Sequence, residues 1–104
     1  MKNEIMILKE IIQDLESSKD PVYKMLWKGE TSHTLAIGFK KGMQLHKHKS
    51  DIPARIIVIK GEVIYNSDNG PVTLGLYDEF QIPVKEYHWV DANEDSLMLV
   101  MKGH

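Results

Sequence analysis

Cysteine is absent from the 104-residue chain. Without thiols the protein forms no disulfide, no cysteine-based zinc site and no thiolate nucleophile, so histidine and carboxylate side chains remain as the strong metal ligands. An excess of one charge is missing too, because 15 acidic and 13 basic residues give a formal net charge of −2 at pH 7. This balance provides no basic field, and we expect no nucleic-acid partner.

Long apolar runs are also missing, since no stretch approaches the about 18 apolar residues that a membrane-spanning helix needs. The first residues, Met1 to Glu4, lack the basic and apolar regions of a secretory signal. We therefore expect a cytoplasmic protein without a membrane partner. A chain of 104 residues can bury one hydrophobic core, which predicts a single domain over residues 1–104.

Residues 4–18 carry the one convincing helical pattern. Apolar residues recur there at three- and four-residue spacing, opposite charged and amide side chains. Pro21 cannot continue a helix, so the pattern predicts an N-terminal α-helix that ends before it. The apolar positions are Ile5, Leu8, Ile11, Ile12 and Leu15.

After Pro21 the hydrophobic period changes to two, which is typical of β-strands. Glycine-containing turns such as Asp68-Asn69-Gly70 separate short β-branched and aromatic runs. Eight or nine short, evenly spaced strands indicate an all-β sandwich or barrel over about 22–102. The predicted strands are 22–28, 32–39, 43–48, 54–60, 62–67, 72–77, 79–82, 88–92 and 96–102.

A His-x-His pair is the main candidate for chemistry. His46 and His48 lie at i and i+2 on an extended segment, so their side chains are expected on one face, with Lys47 on the other. His88 could reach the same point from another strand. Three neutral histidines with open positions are typical of a catalytic metal site rather than a closed structural one.

Two segments resemble the motifs of the cupin superfamily. The run from Gly42 to His48, followed by a strand that ends at Gly61, is similar to the first motif, in which a glycine, His-x-His and a glutamate precede a second glycine. The run from Pro83 to His88 is similar to the second motif, a proline followed five residues later by a histidine. The resemblance spans about 32–102. It implies an RmlC-like jelly-roll barrel, a double-stranded β-helix, after the N-terminal helix.

The resemblance also implies one divalent metal ion, held by His46, His48 and His88. Histidine ligation does not distinguish Fe, Ni, Zn, Mn and Cu. The glutamate of the first motif falls on Ala54, which has no ligand atom. Asp51, in the preceding loop, is the candidate additional ligand, and water is the alternative.

Proximity to the two motifs makes Met43, Ala54 and Phe80 the expected walls of the pocket. His33, on an earlier strand, either lines the same barrel or lies near the surface. Strand alternation directs Arg55 outward to solvent, unless it binds the carboxylate of a ligand.

Three functions remain open. The first is a small metal-binding cupin of unknown substrate, for which the resemblance implies non-haem-iron dioxygenase chemistry as one activity. The alternatives are a non-catalytic module that binds a small ligand or senses a metal, and a degenerate cupin without metal. We expect a small-molecule ligand or substrate as the partner. A homodimer is also expected, because sheet edges and an apolar helix face need cover.

Overall fold

The computed structural model of this chain describes residues 6–103, which form one α-helix and nine strands. Helix α1 spans Ile7–Leu15. The strands are β1 (Val22–Lys28), β2 (Ser32–Phe39), β3 (Gln44–His48), β4 (Ala54–Lys60), β5 (Val63–Ser67), β6 (Val72–Leu74), β7 (Glu79–Ile82), β8 (His88–Ala92) and β9 (Ser96–Gly103).

The element bounds follow the hydrophobic periods of the sequence: three strands, β3, β5 and β9, differ from the prediction by one residue at one end, and two elements differ by more. The helix is shorter than the predicted 4–18: residues 1–5 lie outside the described part of the chain, and residues 16–18 form turns. Strand β6 ends before the predicted Tyr77, because the Gly75 N–H donates to the Asp78 carboxylate at 2.8 Å and closes a turn. Tyr77, inside that turn, has a φ of 69°, which a strand cannot contain.

The strands form two antiparallel sheets. The five-stranded sheet has the order β1-β2-β9-β4-β7, and the four-stranded sheet has the order β3-β8-β5-β6. Alternate residues of both sheets bury one core, whose larger members include Phe39, Ile56, Tyr65, Val90 and Met98. This arrangement of two sheets and one helix confirms the predicted all-β jelly-roll barrel with an N-terminal helix.

Helix α1 packs on the outer face of the five-stranded sheet. Ile11 and Leu15 are buried against Ala36 of β2, in a second apolar cluster. Gly38 allows this close approach, because a Cβ atom there would lie 2.5 Å from Ile11 Cγ2. The apolar face of α1 is thus buried against the five-stranded sheet of the same chain. Within residues 6–103, no helix has the length and apolar character that crossing a membrane requires.

Candidate functional site

A cavity of about 250 Å³ lies between the two sheets. It exceeds the roughly 150 Å³ of an engineered cavity that binds benzene, so it can hold a small organic molecule. Its walls are mainly aliphatic, and its polar side chains come from both sheets and from the β3–β4 loop. The lining residues are Tyr23, Leu35, Ile37, Leu45, His48, Ser50, Ala54, Ile56, Ile82, His88, Val90, Met98, Val100 and Lys102.

His48 and His88 form the polar centre of this cavity. Strands β3 and β8 are antiparallel neighbours, and their register makes these two residues direct cross-strand partners. The ring centroids are 4.3 Å apart in an edge-to-face arrangement. The structure therefore brings together two of the three histidines that the sequence predicted as metal ligands.

Backbone carbonyls fix the orientation of both imidazoles. Nδ1 of His48 lies 2.7 Å from the His46 carbonyl oxygen, and Nδ1 of His88 lies 3.1 Å from the Glu86 carbonyl oxygen. A carbonyl oxygen can only accept a hydrogen bond, so Nδ1 is the protonated nitrogen in each neutral ring. Each Nε2 is then left as an acceptor for a ligand.

His88 is supported from behind by Tyr65 and Glu86. The Tyr65 ring stacks on the His88 ring at a centroid distance of 5.1 Å, and the Tyr65 hydroxyl donates to Glu86 Oε1 at 2.8 Å. Asn69 Nδ2 donates to the other carboxylate oxygen of Glu86, also at 2.8 Å. Burial, followed by the interaction with Glu86, raises the pKa of Tyr65 far above its usual value and keeps this phenol neutral. No sequence pattern identified Tyr65 or Glu86 as a support of His88.

The surroundings of His88 favour its neutral form. Burial is the largest influence and lowers the pKa of His88 below 6.5, and the electrostatic interactions with His48 and Lys102 act in the same direction. The hydrogen bond to the Glu86 carbonyl and the Glu86 charge oppose this shift without reversing it. The lowered pKa keeps Nε2 available as an acceptor at neutral pH.

His46 does not join the histidine pair. In the register between β3 and β8, Leu45 pairs with Val90 and His48 pairs with His88, so β3 contains one extra residue at this point. This β-bulge interrupts the alternation of side chains, and His46 is exposed while Leu45 and His48 both line the cavity. The expectation that His46 and His48 share a face assumed a regular strand.

The bulge moves the inward-facing pair two residues along the chain. His48 and Ser50 now have the His-x-His spacing, and a serine stands in the second place. The Ser50 hydroxyl is nearly buried and donates to the Ile52 carbonyl at 2.9 Å. Ala54 also lines the cavity.

The other predicted site residues lie elsewhere. Asp51 is exposed and is not part of the lining. Met43 packs against both apolar clusters, and Phe80 packs on the Tyr65 ring at a centroid distance of 4.6 Å, so neither reaches the cavity. Arg55 is exposed and forms an ion pair with Glu79 at 3.1 Å, in agreement with its expected outward direction.

These positions allow a test of the metal site that the motifs implied. Across residues 6–103 no group of three or more histidine, aspartate or glutamate side chains is arranged to hold a metal ion. His48 and His88 supply two donors, whereas a catalytic site commonly has three protein ligands. Ala54 has no donor, and the Ser50 hydroxyl is already used by the backbone. The donor set therefore does not fit a resident three-histidine metal.

A shallow groove of about 350 Å³ adjoins the cavity. Ala54 and Lys102 belong to the walls of both the cavity and the groove. His33 and Arg55 line the groove but not the cavity. Lys102 is the direct cross-strand partner of His33 on β2 and of Ala54 on β4. Lys102 therefore lies where the cavity meets the groove.

Comparison with known proteins rests on solved structures, since no protein-family model and no curated protein matches this chain. A cupin superfamily protein from Desulfitobacterium hafniense superposes with a TM-score of 0.76 at 14% identity, over 83% of this chain and 79% of the other. An RmlC-like cupin from Desulfovibrio desulfuricans gives 0.75 at 22% identity, over 82% and 83%. An RmlC-like cupin from Shewanella frigidimarina gives 0.75 at 20% identity, over 84% and 78%. With this topology and these structural relatives, the chain has the RmlC-like cupin fold that its two motifs predicted.

Proposed function

We propose that this chain is a non-catalytic cupin that binds a small molecule in the cavity between its sheets. The observation that carries the proposal is the pairing of His48 with His88 inside a cavity that is otherwise mainly apolar. Ligand pockets typically combine apolar walls with a few convergent polar groups.

The size and chemistry of the cavity define the ligand. A volume of about 250 Å³ admits a compact molecule, such as one substituted aromatic ring. The two Nε2 atoms are acceptors, so the ligand should carry an O–H or N–H donor. Phenol combines both properties and is a suitable first probe.

The polar groups of the cavity favour binding over catalysis. The Ser50 hydroxyl donates to a backbone carbonyl, not to a histidine, so it is not activated as a nucleophile. No carboxylate belongs to the cavity lining found within the described part of the chain, and the Glu86 carboxylate is engaged by Tyr65 and Asn69. The two imidazoles thus have neither an activated serine nor a carboxylate beside them in the described lining, as a hydrolase triad would require.

Phenol binding tests this proposal. Titration followed by NMR should shift the methyl signals of Val90 and Val100 with a Kd near the millimolar range, which corresponds to about −4 kcal/mol. Ala54→Leu fills the cavity and should weaken binding by more than about tenfold. Val72→Leu, on exposed β6, is the matched control and should bind like the wild type. Unchanged binding by folded Ala54→Leu, or no shifts up to the solubility of phenol, would refute the proposal.

A metal-binding cupin with dioxygenase chemistry is the second candidate. One observation favours it: both Nδ1 atoms are hydrogen-bonded to backbone carbonyls, as in histidines that bind metals through Nε2. Elemental analysis for Fe, Ni, Zn, Mn and Cu separates the two candidates. This candidate requires stoichiometric metal that His88→Ala removes and the exposed-site control His46→Ala retains. The non-catalytic binding module requires no stoichiometric metal in the wild type or in either variant.

A homodimer accompanies either function in our proposal. Strand β1 is an edge of the five-stranded sheet, and Tyr23, Met25 and Trp27 on this strand are 64%, 42% and 57% exposed. Exposed side chains of this size on an edge strand suit the burial of this edge against a second copy of the chain.

A further inference from the structure

Lys102 is the cation of the candidate site. It lies near the end of β9, is half-buried, and lines both the cavity and the adjoining groove. Its positive charge also helps to lower the pKa of His88, which lines the same cavity. The site therefore combines one ammonium with two imidazoles.

Lys102 has no carboxylate partner among residues 6–103. The ion pairs of this part of the chain join Lys24 to Asp14, Lys40 to Asp95, and Arg55 to Glu79. The cavity lining of the described chain also contains no aspartate or glutamate. A half-buried lysine without a carboxylate partner in this part of the chain, at the wall of an apolar cavity, is free to pair with an anion from solution.

We propose that the cavity binds a small organic acid, whose carboxylate pairs with Lys102 and whose apolar body lies between the sheets. This inference rests on the proposed binding function and adds the charge of the ligand. Val100 and Met98 precede Lys102 at two-residue intervals on β9, and both line the cavity. An acid held at Lys102 can therefore extend its apolar part along the same face of the strand.

The histidines add a second requirement. Their Nε2 atoms accept hydrogen bonds, so they do not donate to a carboxylate but can accept from a hydroxyl. A hydroxy acid can use both ends of the site, with its carboxylate at Lys102 and its hydroxyl donating to Nε2 of either His48 or His88. The groove offers a weaker place for the anion, because Arg55 is already paired with Glu79.

Matched acids and amides test the inference. The probes are 3-hydroxybenzoate with 3-hydroxybenzamide, and the 4-hydroxy isomers of both, titrated by NMR at neutral pH. Each pair differs in charge and keeps the ring and the hydroxyl. In the wild type, the better acid should bind at least about tenfold more tightly than its amide, as expected for a charge-assisted hydrogen bond.

Variants of Lys102 assign the preference. Lys102→Met retains the apolar stem and should reduce the ratio of acid to amide affinity to near one. Lys102→Arg should keep the preference, and Lys60→Met, an exposed lysine of β4, should leave it unchanged. The amide resonances of each variant report whether it is folded.

The outcomes separate the two proposals. Equal affinity for acids and amides in the wild type overturns the anion inference, while phenol binding still supports the binding function. A preference that survives in Lys102→Met overturns the role of Lys102. If phenol, the acids and the amides all fail to bind to the wild type, the proposed function fails and the inference fails with it.

Discussion

His48 and His88 are cross-strand partners whose rings meet at 4.3 Å inside the barrel, although forty residues separate them in the chain. The contact depends on the register of β3 against β8, and this register contains a bulge. Side chains on the two strands therefore cannot be assigned to a face by counting alone.

Acidification should destabilise the fold through His88. Burial lowers the pKa of His88 in the folded state below the ordinary value of 6.5. At pH values between the folded-state pKa and 6.5, the unfolded chain therefore binds more protons than the folded chain. Stability is therefore lost as the pH falls through this interval, by at most about 1.4 kcal/mol per pH unit. Urea unfolding at several pH values should show this slope in the wild type and in His46→Gln, but not in His88→Gln. An NMR titration that gives His88 a pKa of 6.5 or above would contradict the prediction.

Removal of the Tyr65 hydroxyl should destabilise the protein. Tyr65 is 1% exposed, and its hydroxyl donates to Glu86. Tyr65→Phe deprives a carboxylate of one donor and should cost about 1–3 kcal/mol in the free energy of unfolding. Tyr87→Phe is the control, since Tyr87 is half exposed and should change stability by less than about 0.5 kcal/mol. A loss in Tyr65→Phe no larger than in the control would argue against the support of His88 described above.

Substitution of Gly38 should loosen helix α1. A Cβ atom at this position would lie 2.5 Å from Ile11 and 2.9 Å from Leu15. Gly38→Ala should therefore push the helix from the sheet and reduce the free energy of unfolding by about 1–3 kcal/mol. Gly75→Ala is the comparison, because its Cβ would meet Asp78 at an ordinary contact distance of 3.7 Å. Faster amide exchange confined to α1 in Gly38→Ala would show that the destabilisation arises at the contact between helix and sheet. Equal free energies of unfolding for the two variants would contradict the prediction.

A charge on the β1 edge should dissociate the proposed homodimer. Trp27→Glu places a carboxylate on the exposed edge strand that also carries Tyr23 and Met25, and we expect monomers in sedimentation velocity. Leu76→Glu, on the exposed turn after β6, serves as the control and should leave the dimer intact. A monomeric wild type, or a dimer that Trp27→Glu leaves unchanged, would count against β1 as the interface.

The strands were predictable because burial imposes a period of two on the sequence. β1, β2, β4, β7 and β8 have the bounds that this period predicted. The end of β6 was not predictable, since its turn depends on the Asp78 side chain and on a positive φ at Tyr77. Periodicity reports which residues are buried and contains little information on turn chemistry.

The candidate site was predictable in part. Histidine chemistry and the two motifs identified His48, His88 and Ala54, all of which line the cavity. His46 was expected beside them, but a single extra residue in β3 turns it to solvent and puts Ser50 in the cavity. No sequence motif identified Lys102 as a site residue, because its place in the site depends on the pairing of β9 with β2 and β4.

Because Ser50 and Ala54 line the cavity, two substitutions at these positions should convert this barrel into a metal-binding one. Both residues line the cavity with His48 and His88, so Ser50→His and Ala54→Glu would add an imidazole and a carboxylate to the existing pair. Two substitutions thus separate the present pair of histidines from a set of three imidazoles and one carboxylate. Zinc should raise the Tm of the double variant and leave that of the wild type nearly unchanged. Metal binding in this barrel would thus depend on the side chains at two positions that already line the cavity.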